Sequence, residues 1–154
     1  MISEIQIKMS SSGDLAKKIE EEILKDAERM YSERTIDEAY HPKNVGKIQD
    51  ANGIGKVTGP CEDTMQIYLK IVNNKIIDSK FLTDGCGTTI ACGSVITELV
   101  KNKTTREASK VESESIISIL GGLPKENLHC SALAVNTLKV AIDDYNLTSL
   151  FLGA

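Results

Sequence analysis

One central stretch of the chain alternates apolar and polar residues, and the segments around it repeat apolar residues every three or four positions. Residues 65–71 alternate strictly, an Asn-Asn turn signal stands at 73–74, and a second extended run covers about 75–83. Alternation of this kind is typical of a strand with one buried face. The stretch therefore predicts an antiparallel hairpin, preceded by one short strand at about 56–58 in a segment rich in Gly, Asn and Pro.

The segment before the hairpin has helical periodicity. Ser and Gly at 10–13 predict a break, and apolar residues then recur at helical spacing over 14–40. This stretch is long for one globular helix, so we expect a second break near Ser32. The helix should end at His41, because a residue before proline avoids the helical region.

The segment after the hairpin also has helical periodicity. We expect one helix that follows Gly87 and runs to about Val100, short helices over 104–110 and 112–120, and a break at 121–124. A last helix should run from about His129 to Tyr145. Strands followed by helices predict a domain of the α+β class.

Length and charge narrow the range of functions. The chain has 154 residues and a net charge of −4, with no dense block of Lys or Arg. These values suit one globular domain and argue against nucleic-acid binding. No apolar run approaches the roughly 20 residues that a membrane helix needs, and the first nine residues do not resemble a signal peptide. We therefore expect no membrane partner and a cytoplasmic, reducing location.

Three of the four cysteines stand at element boundaries. Cys61 precedes the hairpin, Cys86 lies between two glycines after it, and Cys130 follows His129 at the start of the last helix. With Asp63 they form a candidate ligand set, since thiolate and imidazole suit zinc or iron–sulfur centres. Cys86 and Cys130 lie near predicted helix N-termini, which favours their thiolate forms. The chain has no Cys-x-x-Cys pair, which disfavours zinc fingers and thioredoxin-like sites.

Two other residues with reactive side chains, Cys92 and His41, are not predicted to take part in the site. Cys92 falls on the apolar stripe of its predicted helix, so we expect a buried structural thiol. His41 precedes a proline in a loop, and we interpret it as a solvated turn residue.

The chain resembles the U-type iron–sulfur cluster assembly scaffolds, the family of IscU and of the N-terminal domain of NifU. The resemblance covers about residues 31–145, and three cysteines combined with Asp63 and the His129-Cys130 pair are its most specific part. The matching segments are Tyr31-Ser32-Glu33, His41-Pro42-Lys43-Asn44-Val45-Gly46, Cys61-Glu62-Asp63-Thr64-Met65, Gly85-Cys86-Gly87, Thr97-Glu98, Leu123-Pro124, His129-Cys130-Ser131 and Asp144-Tyr145.

The resemblance implies a fold and a division of the chain. The fold would be a small antiparallel three-stranded sheet packed against several helices, with an extra N-terminal helix. Residues 1–30 would form an N-terminal extension that packs on the domain or mediates oligomerisation. Residues 31–147 would form the scaffold domain, and 148–154 a C-terminal tail.

The resemblance also implies a role for each site residue. The cysteines would bind a nascent [2Fe–2S] cluster or a zinc ion, Asp63 would complete the site and keep the cluster labile, and His129 would be a further ligand. Cys130 matches the cysteine that receives persulfide sulfur from a cysteine desulfurase. Tyr31 matches a tyrosine linked with persulfide reduction and with a homodimer. Further partners would be an electron donor and apo iron–sulfur acceptor proteins.

Three positions depart from the family pattern. Glu62 stands where the family has glycine, and Cys92 stands where it has serine or another small residue. The family's Leu-Pro-Pro-Val-Lys segment, which an Hsp70-type chaperone binds, is here Leu123-Pro124-Lys125-Glu126-Asn127. Only its first two residues are kept, which puts a chaperone contact through this segment in doubt.

These observations leave four hypotheses about function. The leading one is a scaffold, which is not an enzyme, and the second is a zinc-bound sulfur acceptor that works as a sulfurtransferase with a cysteine desulfurase. The third is a zinc-stabilised domain that only binds a partner. The last is a Cys–His nucleophilic enzyme using Cys130, which is disfavoured because neighbouring residues on a helix point about 100° apart.

Overall fold

The computed structural model describes the backbone of residues 2–152 and the side chains of residues 13–152. The chain divides into two compact units between Tyr31 and Ser32. The first unit contains a single helix, α1 (Ile2–Met30). The predicted break at 10–13 is wrong, because α1 continues through Gly13. One glycine inside a helix costs only about 1 kcal/mol, which the rest of a long helix can offset.

The described part of α1 is amphipathic, as its periodicity predicts. Leu15, Ile19, Ile23 and Met30 follow one another at helical spacing, and each is about half exposed. The next helix, α2 (Glu33–Tyr40), begins the second unit. The predicted break near Ser32 is confirmed, since the Ser32 hydroxyl accepts the N–H of Thr35 at 3.0 Å and caps α2.

The end of α2 and the loop behind it are fixed by one buried carboxylate. Glu38 is 1% exposed. It accepts hydrogen bonds from Arg34 Nε at 3.0 Å, from Lys43 Nζ at 3.1 Å and from the Ser94 hydroxyl. A buried charge is stable only when it is paired in this way. Because Ser94 lies in the next helix of this unit, the cluster joins α2, residues 41–43 and that helix.

Three antiparallel strands form the sheet in the order β1-β2-β3. They are β1 (Gly53–Thr58), β2 (Thr64–Val72) and β3 (Lys75–Thr83). The predicted hairpin is confirmed, with its turn at Asn73 and Asn74, both at positive φ. Strand β1 begins three residues before the predicted 56–58, in the segment whose glycines suggested a loop.

The remaining helices agree in order with the sequence. They are α3 (Gly87–Val100), α4 (Thr105–Ala108), α5 (Ser113–Ile119) and α6 (Leu128–Phe151), with a 3-10 turn, Lys125–Asn127, before α6. The buried side chains of β2 and β3 pack against α3 and α6 to form the core. Helix α6 extends six residues beyond the predicted Tyr145, since residues 146–151 contain neither Gly nor Pro to stop it.

Gly55 allows α6 to pack closely across β1. A Cβ atom added at Gly55 would lie 2.4 Å from the Thr137 carbonyl oxygen and 2.6 Å from the Ala141 nitrogen. Both are backbone atoms of α6, so no rotation of a side chain could relieve the overlap. The glycine thus fixes the height of α6 above the sheet, and with it the position of the first turn of α6.

Candidate functional site

The first segment of the site is the loop between β1 and β2. The Gly59 N–H donates to the Asp63 carbonyl at 2.8 Å, and the Glu62 N–H donates to the Gly59 carbonyl at 3.0 Å. The loop is therefore a closed turn that ends on Asp63. Glu62 has a φ of +67°, in the left-handed region that favours glycine. Cys61 is exposed at the top of this turn.

The second segment is the junction between β3 and α3. Thr83 donates its hydroxyl to the Thr64 carbonyl at 2.6 Å, and Asp84 accepts the Thr64 N–H at 2.7 Å. These bonds hold the end of β3 against the start of β2, next to Asp63. Cys86 follows as the N-cap residue of α3 and is exposed.

The third segment is the first turn of α6. It carries His129 and Cys130, whose Nε2 and Sγ atoms are 3.7 Å apart. Cys130 has no exposed surface. The first loop lies close to this helix, because a Cβ added at Gly59 would lie 3.6 Å from Leu133 Cδ1.

A threonine that the sequence did not single out joins these segments. The hydroxyl oxygen of Thr89, in the first turn of α3, is 3.3 Å from Asp63 Oδ2 and 3.4 Å from Cys130 Sγ. It is also 3.6 Å from Cys86 Sγ. Of the five candidate ligands, the structure thus brings together Asp63, Cys86, Cys130 and, through its contact with Cys130, His129. Within the described chain, Cys61 takes no part in this hydrogen-bonded cluster, although its loop ends on Asp63.

The two clustered thiols differ in proton affinity. Burial acts to raise the pKa of Cys86, but hydrogen bonding from the backbone N–H and hydroxyl of Thr89, from the Thr88 N–H and from Cys130 holds it below its usual value. Burial raises the pKa of Cys130, and the nearby charge of Cys86 adds to this effect. The thiolate expectation therefore fits Cys86, and it is wrong for Cys130.

The chemistry of these donor groups fits a metal ion or an iron–sulfur cluster, but their spacing does not. Two thiols and one carboxylate lie around a shared hydroxyl, one imidazole contacts the Cys130 thiol, and Cys61 is close by in sequence. Thiolate and imidazole are ligands of zinc and of iron–sulfur centres. Among the residues that the structure describes, no three His, Cys, Asp or Glu side chains are yet spaced to hold a metal ion. Binding therefore requires these side chains to close in, Cys61 above all.

Other residues named in the sequence analysis lie outside this cluster. Cys92 has no exposed surface, as expected of a structural thiol, and burial raises its pKa. Tyr31 is the last residue of the first unit, and its role stays a prediction. His41 caps the C-terminus of α2, with Nδ1 3.4 Å from Asp37 Oδ1. Residues 123–127 lead directly into α6 through the 3-10 turn.

Comparison with known proteins identifies the family. Residues 30–150 match the model of the NifU-like N terminal domain. The chain belongs to this family.

Relatives within the family carry consistent names. The protein named iron-sulfur cluster assembly scaffold protein IscU 1 from Archaeoglobus fulgidus is 49% identical over 75% of this chain and 76% of its own length. The IscU scaffold protein of Haemophilus influenzae is 46% identical over 75% of this chain and 94% of its own length. The N-terminal NifU-like protein from Brucella abortus has the same fold, with a TM-score of 0.61 at 16% identity over 77% of this chain and 95% of its own.

Thr89 and the two contacts with Thr64 at the β3 end of the site were not predicted from the sequence. Thr89 stands three residues after Cys86 on the predicted helix, so both side chains lie on one face. That spacing was a usable signal. The contacts of Thr83 and Asp84 with Thr64 depend on strand register, which the sequence predicts only roughly.

In the part of the chain that the structure describes, every helix is too short or too polar to cross a membrane.

Proposed function

We propose that this chain is a scaffold on which iron–sulfur clusters are assembled and from which they are transferred to apo acceptor proteins, with [2Fe–2S] as the cluster type. The observation that carries the proposal is the grouping of Asp63, Cys86 and Cys130 around one buried hydroxyl, with His129 in contact with Cys130, in a member of a family whose relatives are named as scaffolds. The cluster is cargo, so the protein acts as a carrier rather than an enzyme.

The five candidate ligands have different parts in assembly. Cys86 is exposed and has a lowered pKa, so it offers a thiolate to the first iron ion. Cys61 and Cys130 supply further thiolates, and His129 supplies an imidazole. Asp63 offers oxygen, which soft metal centres bind less well than sulfur, and this weaker bond makes release of the cluster easier.

Sulfur delivery needs a change of conformation at Cys130. As the persulfide acceptor, Cys130 as its thiolate would attack the outer sulfur of the desulfurase persulfide, so that a new S–S bond forms on Cys130, the old S–S bond breaks and the desulfurase thiolate leaves. Two electrons from an electron donor would then cleave the new S–S bond, releasing sulfide and restoring the Cys130 thiolate. Because Cys130 is buried and the β1–β2 loop packs beside its helix, the loop must open before the desulfurase can reach it. The zinc-bound sulfur acceptor is the less favoured alternative, since the relatives are named as scaffolds.

Reconstitution of the cluster tests the proposal. The protein is incubated without oxygen with ferrous iron, cysteine, a cysteine desulfurase and a reductant, and then freed of unbound iron. About two iron and two acid-labile sulfide per chain, with the visible spectrum of a [2Fe–2S] centre, are expected. Protein that holds zinc and gains no sulfide under these conditions would contradict the proposal.

Replacing Asp63 sharpens the test. In Asp63→Ala the cluster should outlast that of the wild type when apo acceptor or a chelator is added, because the weak oxygen ligand is gone. Glu62→Ala is the matched control, since Glu62 lies in the same turn and its carboxylate is not a candidate ligand. Equal cluster lifetimes in Asp63→Ala and the wild type would remove the role assigned to Asp63.

A further inference from the structure

The Thr89 hydroxyl contacts three of the candidate ligands at once. Its oxygen lies 3.3 Å from Asp63 Oδ2, 3.4 Å from Cys130 Sγ and 3.6 Å from Cys86 Sγ. These three side chains come from three separate segments: the β1–β2 loop, the α3 N-cap and the first turn of α6. Thr89 is fully buried, so water does not compete for its hydroxyl.

Two other buried threonines in helices, Thr97 and Thr137, use their hydroxyls in a different way. The hydroxyl of Thr97 donates to the Gly93 carbonyl at 2.7 Å, and that of Thr137 donates to the Leu133 carbonyl at 2.7 Å. Both satisfy their hydroxyls on the backbone of their own helix, which is the common solution for a threonine in a helix. Thr89 instead uses its hydroxyl on the side chains of the site.

The neighbouring backbone leaves space for this threonine. A Cβ added at Gly85 would lie 2.7 Å from both Cβ and Cγ2 of Thr89 and 2.8 Å from its hydroxyl oxygen. Any side chain at position 85 would therefore push Thr89 out of place. The glycine before Cys86 thus leaves the space that Thr89 occupies.

One hydroxyl has one proton and therefore donates one hydrogen bond at a time. Asp63 and the two sulfur atoms compete for that proton, and the hydroxyl oxygen can accept from a thiol that still has its own. The three ligands are thus held within reach of one another before any metal arrives. A hydrogen bond to a ligand sulfur also stabilises the reduced form of an iron–sulfur cluster and raises its reduction potential.

We propose that Thr89 is a positioning residue that gathers Asp63, Cys86 and Cys130 for metal binding and donates a hydrogen bond to a ligand of the bound cluster. The cluster part of this inference rests on the proposed scaffold function. The gathering of ligands does not, since it applies to any thiophilic metal. Substitution of Thr89 should therefore weaken binding of zinc as well as alter the cluster.

Zinc binding by the full chain tests the gathering role directly. Thr89→Val replaces the hydroxyl by a methyl group of similar size, and Thr89→Ser keeps the hydroxyl. Competition with a chromophoric chelator should show zinc affinity at least about tenfold lower in Thr89→Val, the usual loss when an outer-shell partner is removed. Thr89→Ser should bind zinc close to wild type. Thr137→Val is the matched control, because it removes a buried hydroxyl that contacts no candidate ligand.

Wild-type zinc affinity in Thr89→Val would overturn the proposal, and so would an equal loss in Thr89→Ser, which would assign the effect to packing of the methyl group. Circular dichroism confirms that each variant is folded. If Thr89→Val is not, Thr89→Ala against Thr89→Ser gives the same comparison without the added methyl group.

The cluster supplies a second, independent readout. The reduction potential of the reconstituted cluster should be more negative in Thr89→Val than in Thr89→Ser and the wild type. An unchanged reduction potential in Thr89→Val would contradict the proposed hydrogen bond from Thr89 to the cluster. If the wild type forms no cluster at all, the proposed function fails, while the zinc titration still decides whether Thr89 gathers the ligands.

Discussion

Cys86 and Cys130 occupy similar places on two helices and meet opposite environments. Cys86 is the N-cap of α3, and Cys130 is the third residue of α6, so the partial positive charge of a helix N-terminus acts on both. Cys86 is exposed, and hydrogen bonding outweighs desolvation, so its pKa falls. Cys130 is fully buried, and desolvation raises its pKa.

The difference teaches that position on a helix does not decide which thiol ionises. Burial and the neighbouring sulfur decide it here, since the hydrogen bond between the two sulfurs lowers the pKa of Cys86 and raises the pKa of Cys130. The site is asymmetric in consequence, with one exposed thiol of lowered pKa and one buried thiol of raised pKa.

The largest expected effect comes from Gly55→Ala, which acts on the Cys130 side of the comparison. The added methyl group would overlap backbone atoms of α6 and should lower the free energy of unfolding by about 1–3 kcal/mol. Displacement of α6 should also expose Cys130 to alkylation. Urea unfolding and peptide mass spectrometry after iodoacetamide treatment measure both.

The control for this prediction is Gly13→Ala, since nothing lies within 4 Å of Gly13. It should not lower stability, because alanine is the better helix former. A Gly55→Ala protein as stable as the wild type would show that β1 and α6 separate more easily than their contact implies.

The order of alkylation tests the comparison itself in the metal-free wild type. Cys86 should react with iodoacetamide at least about tenfold faster than Cys130, because an exposed thiolate is the reactive form. Its rate should also rise at lower pH than that of Cys130, since the two pKa values are shifted in opposite directions. Time-resolved peptide mapping gives both rates. In urea the two rates should become similar, and similar rates in the folded protein would contradict the assignment.

Much of the fold follows from periodicity, and much of the site geometry does not. The alternation at 65–71 and the Asn-Asn turn predict the hairpin, because the period of a strand depends only on local residues. The start of β1 was misplaced since Gly53 and Gly55 suggested a loop, although they serve the close approach of α6. That approach joins residues more than 80 positions apart, which no local pattern encodes.

The candidate ligands were predictable from residue type and from the resemblance, but their burial and their pKa shifts were not. Burial of Cys130 depends on how α6 and the β1–β2 loop pack, and the raised pKa follows from that packing. Thr89 has no distinctive residue type, and its role appears only once three segments converge on its hydroxyl. Glu62, which stands where the family pattern has glycine, has a φ of +67°, a conformation that glycine adopts without strain.

Glu62→Gly tests the loop that lies beside the buried thiol. At +67° the φ of Glu62 is costly for a residue with a Cβ, so glycine should raise the free energy of unfolding by about 1 kcal/mol. Glu62→Ala removes the same carboxylate and keeps the Cβ, so it should give no such gain. If both variants gain equally, the charge of Glu62 is responsible and not its backbone conformation.

The smallest expected effect is the pH dependence of stability without metal, and its sign differs between the two cysteines. The folded state lowers the pKa of Cys86, so its thiolate adds stability as the pH rises towards the ordinary thiol pKa of about 8.5, and Cys86→Ser loses this gain. Burial raises the pKa of Cys130, so the folded protein loses stability as the pH rises above that value, and Cys130→Ser does not show this loss.

Urea unfolding under reducing conditions from about pH 6.5 to 9.5 spans both ranges. As the pH rises, the free energy of unfolding of Cys86→Ser should fall relative to that of the wild type, and the free energy of unfolding of Cys130→Ser should rise relative to it. If the free energies of unfolding of the two variants change in parallel across this range, the pKa values of the two thiols are not shifted in opposite directions, and the contrast between Cys86 and Cys130 is contradicted.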